Sequence, residues 1–304
     1  VTYTEDINDN DEFFGKIRAD LAAGNDLKRD LITLTDWMCA RLIRLNWVQE
    51  LDHGNIPNLE NLQPALRNVS WDAGRRHSVP WQSGVTGIAY NEKLTRPVRT
   101  VDELLTRPDL RGRVTVLKEM RDTIGLLLAQ RGKSPASFTD ADFDTALETL
   151  DDAVRNRQIR RFTGNDYTQD LAAGNVAACL AWSGDVVQLQ ADNPSVKFLV
   201  PEAGGLLFSD NLMVPNKAAH KKNAELLIDH YYDPKVAAQL AASVNYICPV
   251  VGAQEEMRAL DPELANNPLI FPDAATLARL TVFRGLDEKT ERRYNDAFQK
   301  VSGA

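Results

Sequence analysis

Apolar positions along this chain alternate between helical and strand spacing. Residues 11–23 carry Phe13, Phe14, Ile17 and Leu21 on one helical face, and Gly24-Asn25 follows as a stop signal. Residues 30–34 are a short apolar run, read as a buried strand. A second helix is predicted over 36–47, with Met38, Leu42 and Leu45 on its apolar face. Residues 77–91 read as extended, punctuated by Pro80, Gly84 and Gly87. Thr100 with Glu103 three positions on has the spacing of a capping box and predicts a helix start. Strands are then expected at 114–117, 176–182, 197–200 and 212–214, with a helix over 122–130 behind the first of them. Residues 221–243 predict two amphipathic helices divided at Asp233-Pro234, and helical patterns at 274–280 and 289–301 close the chain.

Strands interleaved with helices indicate an α/β class. At 304 residues the chain exceeds what one hydrophobic core usually organises, so two lobes are expected. There is no internal repeat, low-complexity tract or Pro/Gly/Ser linker. Two lobes without a linker imply a chain that crosses between them more than once.

Composition narrows the class. Hydrophobic residues make up 43% and charged residues 26%, ordinary for a soluble globular protein. No apolar run approaches the roughly 18 residues of a membrane span, and there is no basic-then-apolar leader, so any export signal lies outside these residues. The net charge of −8 argues against nucleic acid or an anionic membrane surface as partner and is compatible with a cationic ligand. Cys39, Cys179 and Cys248 form no C-x-x-C pair, and the four histidines form no i,i+3 or i,i+4 pair. Neither pattern supports a metal site. Nucleotide-binding glycine loops and the G-x-S-x-G elbow are missing as well. No cofactor is expected.

Five segments place an acid, a hydroxyl or an aromatic just beyond a predicted buried strand: Thr35-Asp36-Trp37, Glu119 with Asp122, Trp182-Ser183-Gly184-Asp185, Phe208-Ser209-Asp210, and Tyr246. Ligands of α/β sheets bind beyond the carboxyl ends of strands. Carboxylates there suit an ammonium, which has donors only. Aromatic faces suit its charge and its methylene neighbours, at roughly 0.5–2 kcal/mol per contact. Each segment also has a plainer reading. Asp36 can cap the helix it opens, Asp122 can face a helix dipole, and Trp37, Trp182 and Phe208 can be core aromatics. Tyr231-Tyr232, within a helical pattern, reads as core packing. Glu119 and Asp122 have the makings of a carboxylate pair for hydrolysis, which nothing else in the chain supports.

On these residues the chain resembles the periplasmic spermidine/putrescine-binding proteins of ABC importers. The resemblance covers nearly the whole length: residues 30–37; Val79-Pro80-Trp81 through Tyr90-Asn91; Trp182-Ser183-Gly184-Asp185; Gly204-Gly205 through Asp210; and Pro215, Lys217, Ala218, Asn223 and Ala224. It implies a two-lobed periplasmic-binding-protein type II fold, each lobe a sheet flanked by helices, with a ligand cleft between them. The lobes are expected over 1–84 with 208–254 and over 85–207 with 255–304.

The resemblance further implies that Asp185 and Asp210 bind ammonium groups and that Trp182 and Phe208 flank the methylene chain. Thr35 and Trp37 contribute a hydroxyl and a ring. Asp36 either faces the ligand or caps its helix. Asp122 and Glu119 hold the distal amine, and Tyr246 lines the cleft. Family members often have tryptophan at the position of Phe208, and the first strand–helix unit of the family has no counterpart here. The implied protein is not an enzyme. It is an extracytoplasmic monomer, compatible with a lipid anchor on an absent leader, that binds putrescine or spermidine by hinge closure and delivers it to a membrane permease. The alternatives are the same fold binding another small cation or amino acid derivative, and a sensor that does not transport.

Overall fold

A computed structural model describes residues 1–7 and 9–303. Along the chain run α1 (Asn10–Ala23), β1 (Ile32–Thr35), α2 (Asp36–Arg44), a stretch of short 3₁₀ turns, and the long strand β2 (Val79–Asn91). Then come α3 (Val101–Thr106), β3 (Val114–Leu117), α4 (Met120–Gln130), α5 (Asp140–Arg155), β4 (Ile159–Thr163), α6 (Tyr167–Ala173), β5 (Ala178–Trp182), α7 (Ser183–Asp192) and β6 (Val196–Leu199). The long strand β7 (Gly205–Met213) is followed by α8 (Lys221–Tyr231), α9 (Pro234–Val244), α10 (Ala253–Leu260), α11 (Pro262–Ala265), α12 (Ala274–Leu277), β8 (Leu280–Thr281) and α13 (Glu288–Ser302).

The chain forms two compact units. One comprises Val1–Ser83 and Ser209–Phe271, the other Gly84–Phe208 and Pro272–Ala304. Strands β2 and β7 each run from one unit into the other. Residues 255–271, expected in the second lobe, belong to the first unit because α10 packs against α9 and α11.

In the first unit β1 pairs antiparallel with the end of β7, Thr35 opposite Asp210 and Ile32 opposite Met213. Helix α1 buries Phe13, Ile17 and Leu21, and α2 buries Met38, Cys39 and Leu42, against β1 and Met213. Each such side chain contributes about 1.5–3 kcal/mol by leaving water. Gly24 ends α1 in the left-handed conformation, as its sequence signal predicts. Helix α2 stops at Arg44, three residues short of expectation, because Asn46 turns left-handed (φ 56°). Tyr231 and Tyr232 are buried and donate to the carbonyls of Trp81 and Pro80, so both act in packing.

In the second unit β2 lies antiparallel to both β5 and β6, while β3 runs parallel to β5 and β4. The order β6-β2-β5-β3-β4 therefore has its parallel part at β5-β3-β4. Strand β8 adds in parallel to the start of β7. Helices α4, α5 and α13 cover the core. The Tyr294 and Phe143 rings stack at 3.7 Å, tying α13 to α5. Gly87 lies where β2 meets β6: an added Cβ would stand 2.6 Å from the Leu199 carbonyl oxygen and 2.7 Å from the Phe198 ring. Thr100 caps α3 by accepting from the Glu103 N–H. The capping box is incomplete, because the Glu103 carboxylate takes the Arg99 N–H.

The strand expected at 212–214 is the end of the nine-residue β7, and the helix expected over 274–280 is a single turn followed by β8. All three cysteines are buried free thiols. Burial raises the pKa of each, that of Cys248 to about 12.

Candidate functional site

The expected site residues divide between the two units: Glu119, Asp122, Trp182, Asp185 and Phe208 in the second, and Thr35, Asp36, Trp37, Asp210 and Tyr246 in the first. In the second unit β3 delivers Glu119 and Asp122 to the start of α4. Glu119 is the N-cap and accepts from the Arg121 N–H, and Asp122 stands in the first turn. Strand β5 ends at Trp182, and Asp185 follows in the first turn of α7. Phe208 lies on β7, its ring edge-on to that of Trp182 at 6.4 Å.

Asp122 is the chemical centre of this cluster. It is only 7% exposed. One carboxylate oxygen accepts from the Thr86 hydroxyl at 2.7 Å and the other from the Trp182 indole N–H at 2.9 Å. Burial pushes its pKa from 3.8 up to about 6, and the bonds from Thr86 and Trp182 pull the other way without cancelling that. Both bonds come from neutral groups, and a carboxylate has room for further donors on each oxygen. Such an acid is poised for a cation that brings both charge and N–H groups.

Asp185 accepts from the Tyr167 hydroxyl at 2.8 Å. That hydroxyl in turn accepts from the Trp182 backbone N–H at 2.9 Å. Glu119 lies 3.7 Å from the Arg121 guanidinium, which also pairs with the buried Glu291 of α13. Glu119 is thus engaged by an arginine beside it, whereas the bonds on Asp122 come from uncharged groups. The cluster combines two acids, Asp122 and Asp185, with two half-buried rings, Trp182 and Phe208.

In the first unit Thr35 and Asp210 face each other across β1 and β7, and the Thr35 hydroxyl donates to Asp210 at 2.8 Å. Asn10, from the first turn of α1, holds Thr35 by two bonds: its amide N–H reaches the hydroxyl at 2.9 Å and its carbonyl accepts the Thr35 N–H at 3.1 Å. Asp36 is not the helix cap; Thr35 occupies that position. Asp36 accepts from the Asn211 amide at 2.7 Å, and Asn211 accepts from the buried Arg75 guanidinium at 3.1 Å. Burial raises the Asp36 pKa from 3.8 to about 6, while Asn211, Arg75 and the Ser209 backbone oppose the rise. Asp36 therefore anchors α2 to β7. The Trp37 ring is half-buried against the α1–α2 core and carries the Arg41 guanidinium 5.0 Å above it. Tyr246, half-buried, follows the left-handed Asn245 that ends α9 and precedes the bridge between Ile247 and Ser83.

Thr86, Tyr167, Asn10, Asn211 and Arg75 escaped the sequence reading. They support acids rather than resembling ligands, and their partners are distant in sequence. Only Thr86 carried a signal, a hydroxyl inside an apolar strand. Among the described residues no group of three or more His, Cys, Asp or Glu side chains is placed to hold a metal ion, and no helix is long and apolar enough to cross a membrane.

Residues 2–272 match the family described as bacterial extracellular solute-binding protein. Among curated relatives, the chain is similar to the spermidine/putrescine-binding periplasmic protein of Escherichia coli K12, with 26% identity over 85% of this chain and 73% of the relative. It is also similar to the putrescine-binding periplasmic protein PotF of the same organism, with 28% identity over 90% and 78%. Among solved structures, the spermidine/putrescine ABC transporter substrate-binding protein PotD from Streptococcus pneumoniae superposes with a TM-score of 0.81 at 24% identity, covering 97% of this chain and 88% of that one. The fold is accordingly that of the type II periplasmic binding proteins. With a family match over residues 2–272, reaching into both units, this chain belongs to the bacterial extracellular solute-binding protein family.

Proposed function

We propose that this protein captures a polyamine, putrescine or spermidine, in the periplasm and hands it to the permease of an ABC importer. The observation that carries the reading is Asp122, a buried carboxylate whose two hydrogen bonds come from uncharged donors and whose pKa is raised to about 6. An ammonium supplies charged N–H donors directly to a carboxylate whose present donors are neutral and whose nearby cation, Arg121, acts through space. Trp182 and Phe208 offer apolar faces for methylenes, and Asp185 offers a second acid for the other end of a diamine. Asp210, held by Thr35, is the corresponding acid of the first unit, with Trp37 and Tyr246 as its rings and Asp36 in support through Asn211. Glu119 assists Asp122 as a flanking charge. In this reading binding favours hinge closure, which the permease then recognises. The names of the relatives point to the same ligand class.

Calorimetric titration of the purified protein with putrescine and spermidine tests the proposal. Saturable one-to-one binding is expected, with the amine recovered unchanged. Asp210→Asn is expected to weaken binding by about 2–5 kcal/mol, the usual cost of removing one member of a desolvated charge pair. Absence of heat for any polyamine, or full affinity in the variant, overturns it.

A further inference from the structure

The two acids of the second unit are joined by one line of hydrogen bonds. Asp185 accepts from the Tyr167 hydroxyl, which accepts from the Trp182 backbone N–H. The Trp182 indole N–H then reaches Asp122, and Asp122 also accepts from Thr86. Every link is 2.7–2.9 Å long. The line is mounted on rigid parts. Trp182 stands directly opposite Thr86 in the β2–β5 pairing, and the neighbouring Ser183 hydroxyl accepts the Val85 N–H. The pairing of β3 with β5 ends at Cys179, short of Trp182. The Tyr167 hydroxyl therefore takes the place of a strand carbonyl for the Trp182 N–H. Tyr167 itself is fully buried at the start of α6, and its ring meets the Trp182 ring edge-on at 6.0 Å. Only an amphoteric hydroxyl serves there, accepting on one side and donating on the other.

We infer that Tyr167 is a specificity-determining positioning residue: its hydroxyl fixes Asp185 relative to Asp122 and so sets the separation of the two ammonium groups the protein accepts. This rests on the polyamine reading. Two carboxylates held at one spacing discriminate among diamines by length, because a chain one methylene too short or too long leaves one desolvated charge poorly paired. Without the Tyr167 bond Asp185 is held less firmly, follows the ligand more readily, and the discrimination shrinks. Tyr167 touches no ligand in this scheme; it acts through Asp185 and Trp182.

The test is a calorimetric series of α,ω-diamines with three to six methylenes against the wild-type protein and Tyr167→Phe. The wild type is expected to prefer one length. In the variant, affinity for that diamine falls about tenfold, the worth of a hydrogen bond to a charged group, while affinity for its neighbours falls less, so the preference flattens. An equal loss at every length reduces Tyr167 to a packing residue and overturns the inference. So does a wild type that binds diamines without length preference, which leaves the polyamine reading standing. A wild type that binds no diamine removes both. Should Tyr167→Phe fail to fold, Thr86→Val frees the opposite end of the line, and the same flattening or uniform loss decides.

Discussion

Replacing Asp122 by asparagine separates stability from binding. The substitution keeps the shape and removes the charge. The asparagine carbonyl can still accept the Trp182 indole N–H, and the Thr86 hydroxyl can rotate to accept from the new amide, so both side chains keep a hydrogen bond to position 122. In the wild type the carboxyl titrates near 6 instead of 3.8 because of its burial. At 1.36 kcal/mol per pH unit, keeping it ionised at pH 7.5 costs the unliganded fold about 3 kcal/mol. The sign follows from the direction of the shift. The folded protein holds this proton more tightly than the unfolded chain, so the contribution to stability is most favourable below pH 3.8 and is lost as pH rises toward 6. Asp122→Asn is therefore expected to raise the thermal midpoint of the unliganded protein at pH 7.5 and to leave it little changed at pH 3.5. Binding moves oppositely. An ammonium pulls the carboxyl back toward its ionised form, so wild-type affinity for putrescine falls below pH 6 and binding there releases a proton. The variant is expected to bind about 2–5 kcal/mol more weakly at pH 7.5, roughly 30- to 5000-fold, and to lose this proton release. Asp36 titrates in the same range but is present in both proteins, so their difference isolates Asp122. Calorimetry in two buffers of different ionisation enthalpy, with melts at both pH values, makes the measurement. A variant that binds within threefold of wild type, or that melts earlier without ligand at pH 7.5, refutes the reasoning.

Arg121→Met leaves Glu291 buried without its guanidinium and is expected to cost about 3–5 kcal/mol in urea unfolding, much of it recovered when Glu291→Gln is added. Gly87→Ala forces a methyl against the Leu199 carbonyl and the Phe198 ring. It is expected to lower stability by about 1–3 kcal/mol, with faster amide exchange in β6 as the accompanying sign.

What the chain reveals of itself depends on how local each determinant is. Helix α1 and its end at Gly24 were legible because spacing and stop signal lie within one stretch. The same holds for β3 and for the break between α8 and α9 at Pro234. Strand β7 is longer than its apolar run because Ser209, Asp210 and Asn211 interrupt that run; pairing with β1 accommodates Asp210 and Asn211, and Ser209 bonds the Ser83 hydroxyl. Strand β4 hid behind two arginines, as an edge strand with a solvated face does. Helix α5 was legible in principle, with a capping box from Thr139 to Asp142 and Phe143, Ala146, Leu150 and Ala153 at helical spacing. The acids and rings of the site are visible as residue types, although Phe208 and Asp210 lie within β7 and Tyr246 follows α9 rather than a strand. Their supports are not: nothing near Asp122 in sequence announces Thr86, and nothing near Asp185 announces Tyr167, because only the sheet brings them together. The ambiguity of Asp36 was also local. Cap and ligand were the roles a neighbourhood view offered, and the Asn211–Arg75 partnership came from far along the chain.

The three sealed thiols have a practical meaning for a protein that works outside the cytoplasm. Cys39, Cys179 and Cys248 are buried in separate places and held protonated by burial, so oxidants and alkylating reagents find no thiolate to attack while the fold is intact. Cys39 and Cys248 lie in one unit and Cys179 in the other. Each unit thus carries its own unopened seal, and mapping which cysteine a maleimide reaches first during mild denaturation tells which half of the molecule came apart.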